Sequence, residues 1–149
     1  MSTQSYRYRV VDVFTESPLE GNPLAVFPDA QGLGEHTMQR IAKELNLSET
    51  VFILPSSREG CVARVRIFTP ALEMLFAGHP TVGASYVLLD EGVVPADTGH
   101  FCLDEQIGAV PVRVDKSERS LIWLTTPPIV FGAQYPREAC IEALGLLPE

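Results

Sequence analysis

The chain has 149 residues, of which 46% are hydrophobic and 20% are charged. This length and composition are typical of one ordinary globular domain, and they exclude disordered, collagen-like and coiled-coil proteins. The formal net charge of -8 comes without any basic cluster, so nucleic-acid binding is not expected.

The first part of the chain predicts two strands and a helix. Tyr6 to Phe14 is rich in tyrosine and valine, as strands are, and Thr15 to Pro23 is full of turn-forming residues. Leu24 to Phe27 is a second short strand. From Glu35 to Leu45 the apolar residues follow the spacing of an amphipathic helix, and Asn46 is a suitable residue to end it.

The middle of the chain predicts a hairpin followed by a buried helix. Thr50 to Leu54 and Val62 to Phe68 have strand composition and are close enough in sequence to pair. A helix is expected to begin near Pro80, whose fixed φ angle suits a first helical turn, and to end at Gly92. Because most of this segment is apolar or small on every side, we expect the sheet to enclose it, with Gly83 allowing strands to approach closely.

The last part of the chain predicts three more strands, which cover Phe101 to Gln106, Val110 to Val114 and Leu121 to Thr125. Pro111 cannot donate a backbone hydrogen bond, so its strand is expected at a sheet edge. A polar turn is expected over residues 115–119, and a helix from Pro136 to Leu144. Strands and helices alternate without regular β-α-β spacing. The sequence therefore predicts an α+β fold, with a curved, mostly antiparallel sheet wrapped round a central apolar helix.

The cysteines and histidines do not indicate a metal site. The three cysteines lie far apart, are odd in number and form no CxxC pair; they are Cys61, Cys102 and Cys140. Neither a disulfide framework nor a zinc site is expected from them, and reduced thiols in the cytoplasm fit best. The histidines lack HxH or HExxH spacing, and no glycine-rich nucleotide motif is present, so no metal and no cofactor is expected.

Export and membrane insertion are not expected either. The first nine residues lack the apolar core of a signal peptide. The two longest uncharged stretches are residues 74–89, which are short for a membrane span, and residues 120–136, which contain Pro127 and Pro128.

The segment from Phe76 to Pro80 is the first candidate for chemistry. It stands where an apolar run breaks and the buried helix is expected to start. Helix N-termini present unpaired N–H groups and a positive dipole end, so Gly78 and the following backbone could hold a carboxylate or a developing enolate. His79 would then border the anion as an acid, a base or a donor. The alternative is that His79 only caps the helix and Gly78 only forms the turn.

Glu49 and Asn22 are the other candidates. Glu49 precedes an apolar strand, and a carboxylate set against an apolar wall is suited to take and return a proton because burial disfavours its charged form. Simple solvent exposure of Glu49 is the alternative. The side-chain amide of Asn22 could contact a substrate, but a turn at Gly21-Asn22-Pro23 would need the same residues.

Five motifs of this sequence, in this order, resemble the first half of the PhzF-like phenazine-biosynthesis isomerases. They are Val11-Asp12-Val13-Phe14-Thr15, Gly21 to Phe27, Leu47-Ser48-Glu49-Thr50, Arg66 to Pro70 and Phe76 to Gly83. The resemblance covers nearly the whole chain. It implies the diaminopimelate-epimerase-like fold, with two similar lobes, a substrate cleft between them and no cofactor. Residues 1–126 would form the N-terminal lobe, and residues 127–149 a linker-like segment and helix leading toward an absent second lobe.

The resemblance also implies roles for particular residues. Glu49 would be the general acid/base that moves a proton between substrate carbons, and His79 its partner at the cleft. Gly78 would belong to the anion-holding turn. The other residues implied to contact the substrate are Asn22, Ser48, Pro80 and Thr81.

The family's second lobe carries an Asp-Pro-x-Thr-Gly-Ser motif that this sequence lacks. We therefore expect an isomerase or epimerase-type lobe that binds a small carboxylate-bearing molecule and works with a second lobe, supplied by a homo-oligomer or a complementary chain. The alternative is a non-catalytic, half-length binding or assembly module that keeps the cleft residues without turnover.

Overall fold

One curved sheet wrapped round a helix forms most of the molecule in the computed structural model, which describes residues 4–117 and 121–146. The strands are β1 (Arg9–Val13), β2 (Asn22–Phe27), β3 (Glu49–Leu54), β4 (Ala63–Phe68), β5 (Glu73–Met74), β6 (His100–Glu105), β7 (Gly108–Asp115) and β8 (Leu121–Leu124). The helices are α1 (Glu35–Leu45), α2 (Gly78–Asp90) and α3 (Arg137–Ala143).

The order of strands across the sheet is β1-β2-β3-β4-β6-β7-β8, with the short β5 beside β4. β2 and β3 run parallel, as do β4 and β6, and the other pairs are antiparallel. The parallel register of β2 and β3 places Leu24 beside Glu49. Because parallel strands start at the same end of a sheet, the segments that lead into β2 and β3 lie close together.

The central helix α2 organises the larger hydrophobic core. Eight of its thirteen residues are buried, and three of them, Ala84, Val87 and Leu88, pack with apolar side chains from β1 to β4, β6 and β7. A smaller core lies under α1, where the rings of Phe27 and Phe52 stack with centroids 4.8 Å apart and Phe68 meets Phe52 edge-on. Burial of these faces is the main source of stability in a domain of this kind.

The sheet does not close over the whole of α2. β1 and β8 are the two ends of the strand order. A cleft of about 860 Å³ lies between them, lined by β1, the loop that follows it, the Val82 to Tyr86 side of α2 and the start of β8. Tyr86 is 48% exposed there. The expected enclosure of the helix is therefore incomplete on this side.

Several predictions from the sequence are confirmed. The fold is α+β, α1 spans the predicted residues, and β3 and β4 form the predicted hairpin. Asn46 ends α1 in the left-handed conformation, with φ of 52°, and its N–H donates to the carbonyl of Ala42. α2 begins at Gly78, slightly before the predicted start. Pro80 still falls in the first turn, where its missing N–H removes no helical hydrogen bond.

The prediction that Pro111 marks an edge strand is wrong. β7 lies between β6 and β8. The carbonyl of Pro111 accepts the N–H of Thr125, so the proline nitrogen faces the side where β8 has ended at Leu124. The missing donor therefore falls beyond the end of the neighbouring strand. The predicted turn over residues 115–119 runs into residues 118–120, which lie outside the described ranges.

The expectation of three reduced thiols is also wrong. Cys61 and Cys102 form a disulfide, with their Cα atoms 4.4 Å apart, and Cys140 is free and exposed. The two cysteines meet because β4 and β6 are neighbours, and the N–H of Val62 donates to the carbonyl of Cys102 at 2.8 Å. The two cysteines are 41 residues apart in the sequence, so no local pattern indicates this pairing. The inference from reduced thiols to a cytoplasmic location therefore loses its basis.

Candidate functional site

Glu49 and His79 lie in contact at one end of the sheet. Glu49 is the first residue of β3 and His79 the second of α2. Oε2 of Glu49 and Nδ1 of His79 are 3.1 Å apart, and the side chains are 19% and 8% exposed. Oε2 is buried without an aligned hydrogen bond among the described residues, so the two side chains are in close contact but are not hydrogen-bonded there. The structure thus brings together the two predicted catalytic residues.

Asn22 and Ser48 lie beside this pair. They directly precede Pro23 and Glu49 at the adjacent starts of β2 and β3. The hydroxyl of Ser48 donates to Oδ1 of Asn22 over 3.5 Å, which is a long hydrogen bond. Both side chains can make further hydrogen bonds, and they form a polar edge of the site. Their predicted contact with a substrate stays a prediction.

The surroundings of His79 favour its neutral form. Burial lowers the pKa of this imidazole, and the charge of Glu49 and the carbonyl of Pro23 oppose that effect without overcoming it. The ring of Phe14 lies 6.4 Å from the imidazole, centroid to centroid. A neutral imidazole has one N–H donor and one acceptor nitrogen. It can therefore hydrogen-bond to a neighbouring carboxyl group without a positive charge that would hold that group in its ionised form.

The start of α2 offers backbone donors beside His79. The residue that precedes the helix, Ala77, is extended, and no side chain caps the helix. A Cβ added at Gly78 would meet no atom within 4 Å, so the backbone there can be approached closely. Uncapped N–H groups at the positive end of a helix dipole favour a carboxylate or a developing negative charge.

Pro80 and Thr81, by contrast, point into the protein. Both are buried, and Thr81 is fully inaccessible. The Thr81 hydroxyl lies 2.7 Å from the carbonyl oxygen of Ala77 and 2.7 Å from Oε1 of Glu105. Their contribution to substrate binding stays a prediction, but the hydroxyl of Thr81 already has partners inside the fold.

Two residues near the site were missed by the sequence reasoning. Phe14 adopts a left-handed conformation, with φ of 65°, that places a 74% exposed ring near His79. Nothing in the sequence signals this conformation. Glu105 is only 3% exposed. The alternation of β6 offered a signal, because Glu105 shares a face with the fully buried Leu103.

Residues 4–117 and 121–146 offer neither a metal site nor a membrane-spanning helix. They contain no cluster of three or more His, Cys, Asp or Glu side chains that could hold a metal ion. None of the helices in these ranges combines the length and apolarity of a membrane span.

A family model described as phenazine biosynthesis-like protein matches residues 11–147. The chain belongs to the phenazine biosynthesis-like family. This agrees with the motifs noted in the sequence, since all five lie wholly within the matched residues. The match includes Glu49 and His79 but, as a match of the whole segment, it does not assign roles to single residues.

Several curated relatives of this chain are described as isomerases. An uncharacterised isomerase of Mesorhizobium japonicum is 43% identical over 97% of this chain and 49% of its own length. A trans-2,3-dihydro-3-hydroxyanthranilate isomerase of Pseudomonas aeruginosa is 39% identical over 95% of this chain and 50% of its own length. The chain thus spans about half the length of these curated relatives.

Solved structures confirm the fold. A PhzF-family phenazine biosynthesis protein of Bacillus anthracis superposes with a TM-score of 0.73 at 34% identity, covering 82% of this chain and 40% of that one. A hydroxyproline epimerase of Agrobacterium vitis superposes with a TM-score of 0.59 at 14% identity, covering 79% and 41%. The second likeness shows a shared epimerase-type fold and no more.

Proposed function

We propose that this chain forms the proton-transfer lobe of a cofactor-independent isomerase that acts on a small carboxylate-bearing molecule. The observation that carries the proposal is the contact between Glu49 and His79, at 3.1 Å, beside the uncapped start of α2. Membership of a family whose relatives include isomerases supports it.

In the proposed reaction, the Glu49 carboxylate removes a proton from a substrate carbon and returns it to another. The electron pair left on the substrate is delocalised as an enolate-like anion until the proton is returned, so no oxidant or reductant is needed. The substrate carboxylate and the developing charge would lie against the backbone N–H groups of Gly78 and His79. Donors fixed before the reaction stabilise such charge most effectively.

His79 serves this reaction as a neutral donor or acceptor. A permanently protonated imidazole would stabilise the Glu49 carboxylate and weaken it as a base. The lowered pKa of His79, caused by burial, avoids this. The ring of Phe14 lies 6.4 Å from the imidazole, centroid to centroid, beside the contact with Glu49.

We further propose that turnover requires a second lobe facing this site, from another part of the same protein or another chain. The relatives' length supports this. So do the apolar side chains exposed in the segments that flank the site: Phe14 at 74%, Leu19 at 93%, Leu72 at 53% and Leu75 at 62%. Exposed apolar groups of this kind are typical of covered interfaces. A chain that is monomeric by light scattering at micromolar concentration, and binds no apolar dye, would contradict the proposed covering.

The catalytic proposal can be tested by isotope exchange. The probe is trans-2,3-dihydro-3-hydroxyanthranilate in D₂O, with the chain alone and with the second half of the Mesorhizobium japonicum relative added in trans or fused to it. We expect deuterium incorporation with the added lobe and none above background with the chain alone. Glu49→Gln should reduce the rate at least about 10²-fold, because an amide cannot take and return the proton.

The matched control for this variant is Glu44→Gln, which changes an exposed carboxylate on α1. It should leave the exchange rate unchanged. Equal rates for Glu49→Gln and the unmodified protein would overturn the assigned role of Glu49. Binding of the probe without exchange in any assembly would favour the non-catalytic module.

A further inference from the structure

The contacts of the Thr81 hydroxyl restrict where its proton can be. It lies 2.7 Å from the Ala77 carbonyl oxygen and 2.7 Å from Oε1 of Glu105. A carbonyl oxygen can only accept a hydrogen bond, and a hydroxyl has one proton to donate. Both contacts are hydrogen bonds only when Glu105 is protonated, so that Glu105 donates to Thr81 and Thr81 donates to Ala77.

The location of Glu105 agrees with a neutral carboxylic acid. The residue is 3% exposed, and its Oε2 is buried with no hydrogen-bond partner among the described residues. An ionised carboxylate in such a place would bear a large desolvation cost. Burial raises the pKa of Glu105 to about 7, although the hydroxyl of Thr81 opposes the rise.

Two titratable groups on β6 and α2, Asp104 and His79, have other partners. Asp104, next to Glu105 on β6, is bonded to Arg58 at 2.6 Å. On β4, Arg64 lies in register with Asp104, and on β7 it is Gly108 that lies opposite Glu105. On α2, His79 contacts Glu49. In the described part of the chain, no charged group alters the pKa of Glu105.

The hydrogen bonds from Glu105 end at the segment that carries the site. Ala77 is the residue before α2, and its carbonyl also accepts the backbone N–H of Thr81 at 3.2 Å. These bonds enclose Gly78, His79 and Pro80. The Thr81 N–H makes the first i→i−4 hydrogen bond of the helix, so the first turn depends on the bonds made by Thr81.

We propose that Glu105 is a positioning residue, which as a neutral acid donates to Thr81 and thereby fixes the first turn of α2 with His79 opposite Glu49. The relevance of this turn to catalysis rests on the proposed function, but the chain of hydrogen bonds does not. Ionisation of Glu105 removes the hydrogen bond that it donates to Thr81. The single proton of the Thr81 hydroxyl can then bond to the Ala77 carbonyl or to the Glu105 carboxylate but not to both, so the turn loosens.

The test is an NMR titration of the full chain, labelled with ¹³C at glutamate carboxyls and ¹⁵N in the backbone. We expect one carboxyl to titrate near pH 7, and the amide signals of Gly78, His79 and Thr81 to shift with the same midpoint. Glu105→Gln should remove both the titration and the amide shifts that share its midpoint, because its amide can still donate to Thr81. The matched control, Asp104→Asn, should keep both.

A second pair of variants separates positioning from general stability. Thr81→Val should uncouple the signals of Gly78 and His79 from the carboxyl titration, and Thr81→Ser should restore the coupling. Amide shifts that persist unchanged in Glu105→Gln, or a glutamate carboxyl at position 105 that is already ionised at pH 5, would overturn the proposal. These readouts do not depend on turnover. A chain that shows the titration but no isotope exchange therefore contradicts the proposed function alone, and the reverse result contradicts this inference alone.

Discussion

Gly83 of α2 lies directly against Leu24 of β2. A Cβ added at Gly83 would come within 2.5 Å of Cδ2 of Leu24 and 3.0 Å of Cγ2 of Val13. Leu24 is fully buried and cannot move aside cheaply. The close approach of helix and sheet that positions the start of α2 therefore depends on the absence of a side chain at this glycine.

Gly83→Val should destabilise the protein by about 1–3 kcal/mol through overpacking, and Gly83→Ala by less. Denaturant unfolding measures the free energy difference. Gly99→Ala is the matched control, because a Cβ there would meet no atom within 4 Å. An unchanged stability of Gly83→Val would mean that the helix does not pack against β2 as described.

The stability of the protein should depend on the ionisation of Glu105. Its pKa in the folded state is about 7, above the ordinary value of 4.5, so the folded chain holds this proton more tightly than the unfolded chain. The contribution of the group to stability is complete below about pH 4.5, falls as the pH rises to about 7 and is constant above. The loss amounts to about 3 kcal/mol.

Glu105→Gln should remove this fall. The unfolding free energies of the two proteins are measured at about five pH values between about pH 4 and pH 8, and the two curves are compared. His79 contributes in the opposite sense, because a lowered pKa in the folded state gives stability that is lost as the pH falls. Since both proteins contain His79, their difference isolates Glu105. Parallel curves would contradict the prediction.

The pKa of His79 should respond to Glu49. The negative charge of Glu49 raises this pKa against the larger effect of burial, so Glu49→Gln should lower it further. The imidazole signals of His79 in an NMR titration report the midpoint. Glu44→Gln, which alters a carboxylate on the exposed side of α1, should not move it. A rise of the midpoint in Glu49→Gln would mean that the two side chains are not in contact.

The disulfide between Cys61 and Cys102 should leave one reactive thiol per chain, that of Cys140, when the oxidised protein is unfolded without a reductant. Replacing both bonded cysteines by serine should cost roughly 2–4 kcal/mol, because the bond restricts the unfolded chain. Cys140→Ser is the control and should leave stability unchanged. Three reactive thiols in the oxidised protein would show that the bond is not formed.

Local signals in the sequence predicted much of the secondary structure. The apolar spacing between Glu35 and Leu45 and the left-handed tendency of Asn46 are properties of neighbouring residues, so they could be read before the fold was known. The disulfide could not be predicted from neighbouring residues, because Cys61 and Cys102 meet only through the pairing of β4 with β6. The prediction of an edge strand from Pro111 failed for the same reason. Its missing N–H lies beyond the end of β8, where no strand hydrogen bond is lost.

The candidate site was predicted in a similar, partial way. Glu49 and His79 were singled out because each stands at the start of an element, and the resemblance to a known family gave their roles. Their distance could not be read from residues so far apart in the chain. Glu105 was missed although the alternation of β6 places it on the face of Leu103, because that pattern indicates burial and not the contact with Thr81, which depends on the packing of α2.

The parallel register of Leu24 with Glu49 makes the start of β3 intolerant of changes in length. Successive side chains of a strand point to opposite faces, so one residue inserted between Asn46 and Glu49 that shifted the register would move Glu49 into the position of the fully buried Thr50. A carboxylate would then enter the core, and His79 would lose its contact with Glu49. Natural variation and engineered insertions should therefore avoid this short connection and accumulate in the loop between Leu54 and Ala63, which lies outside both strands.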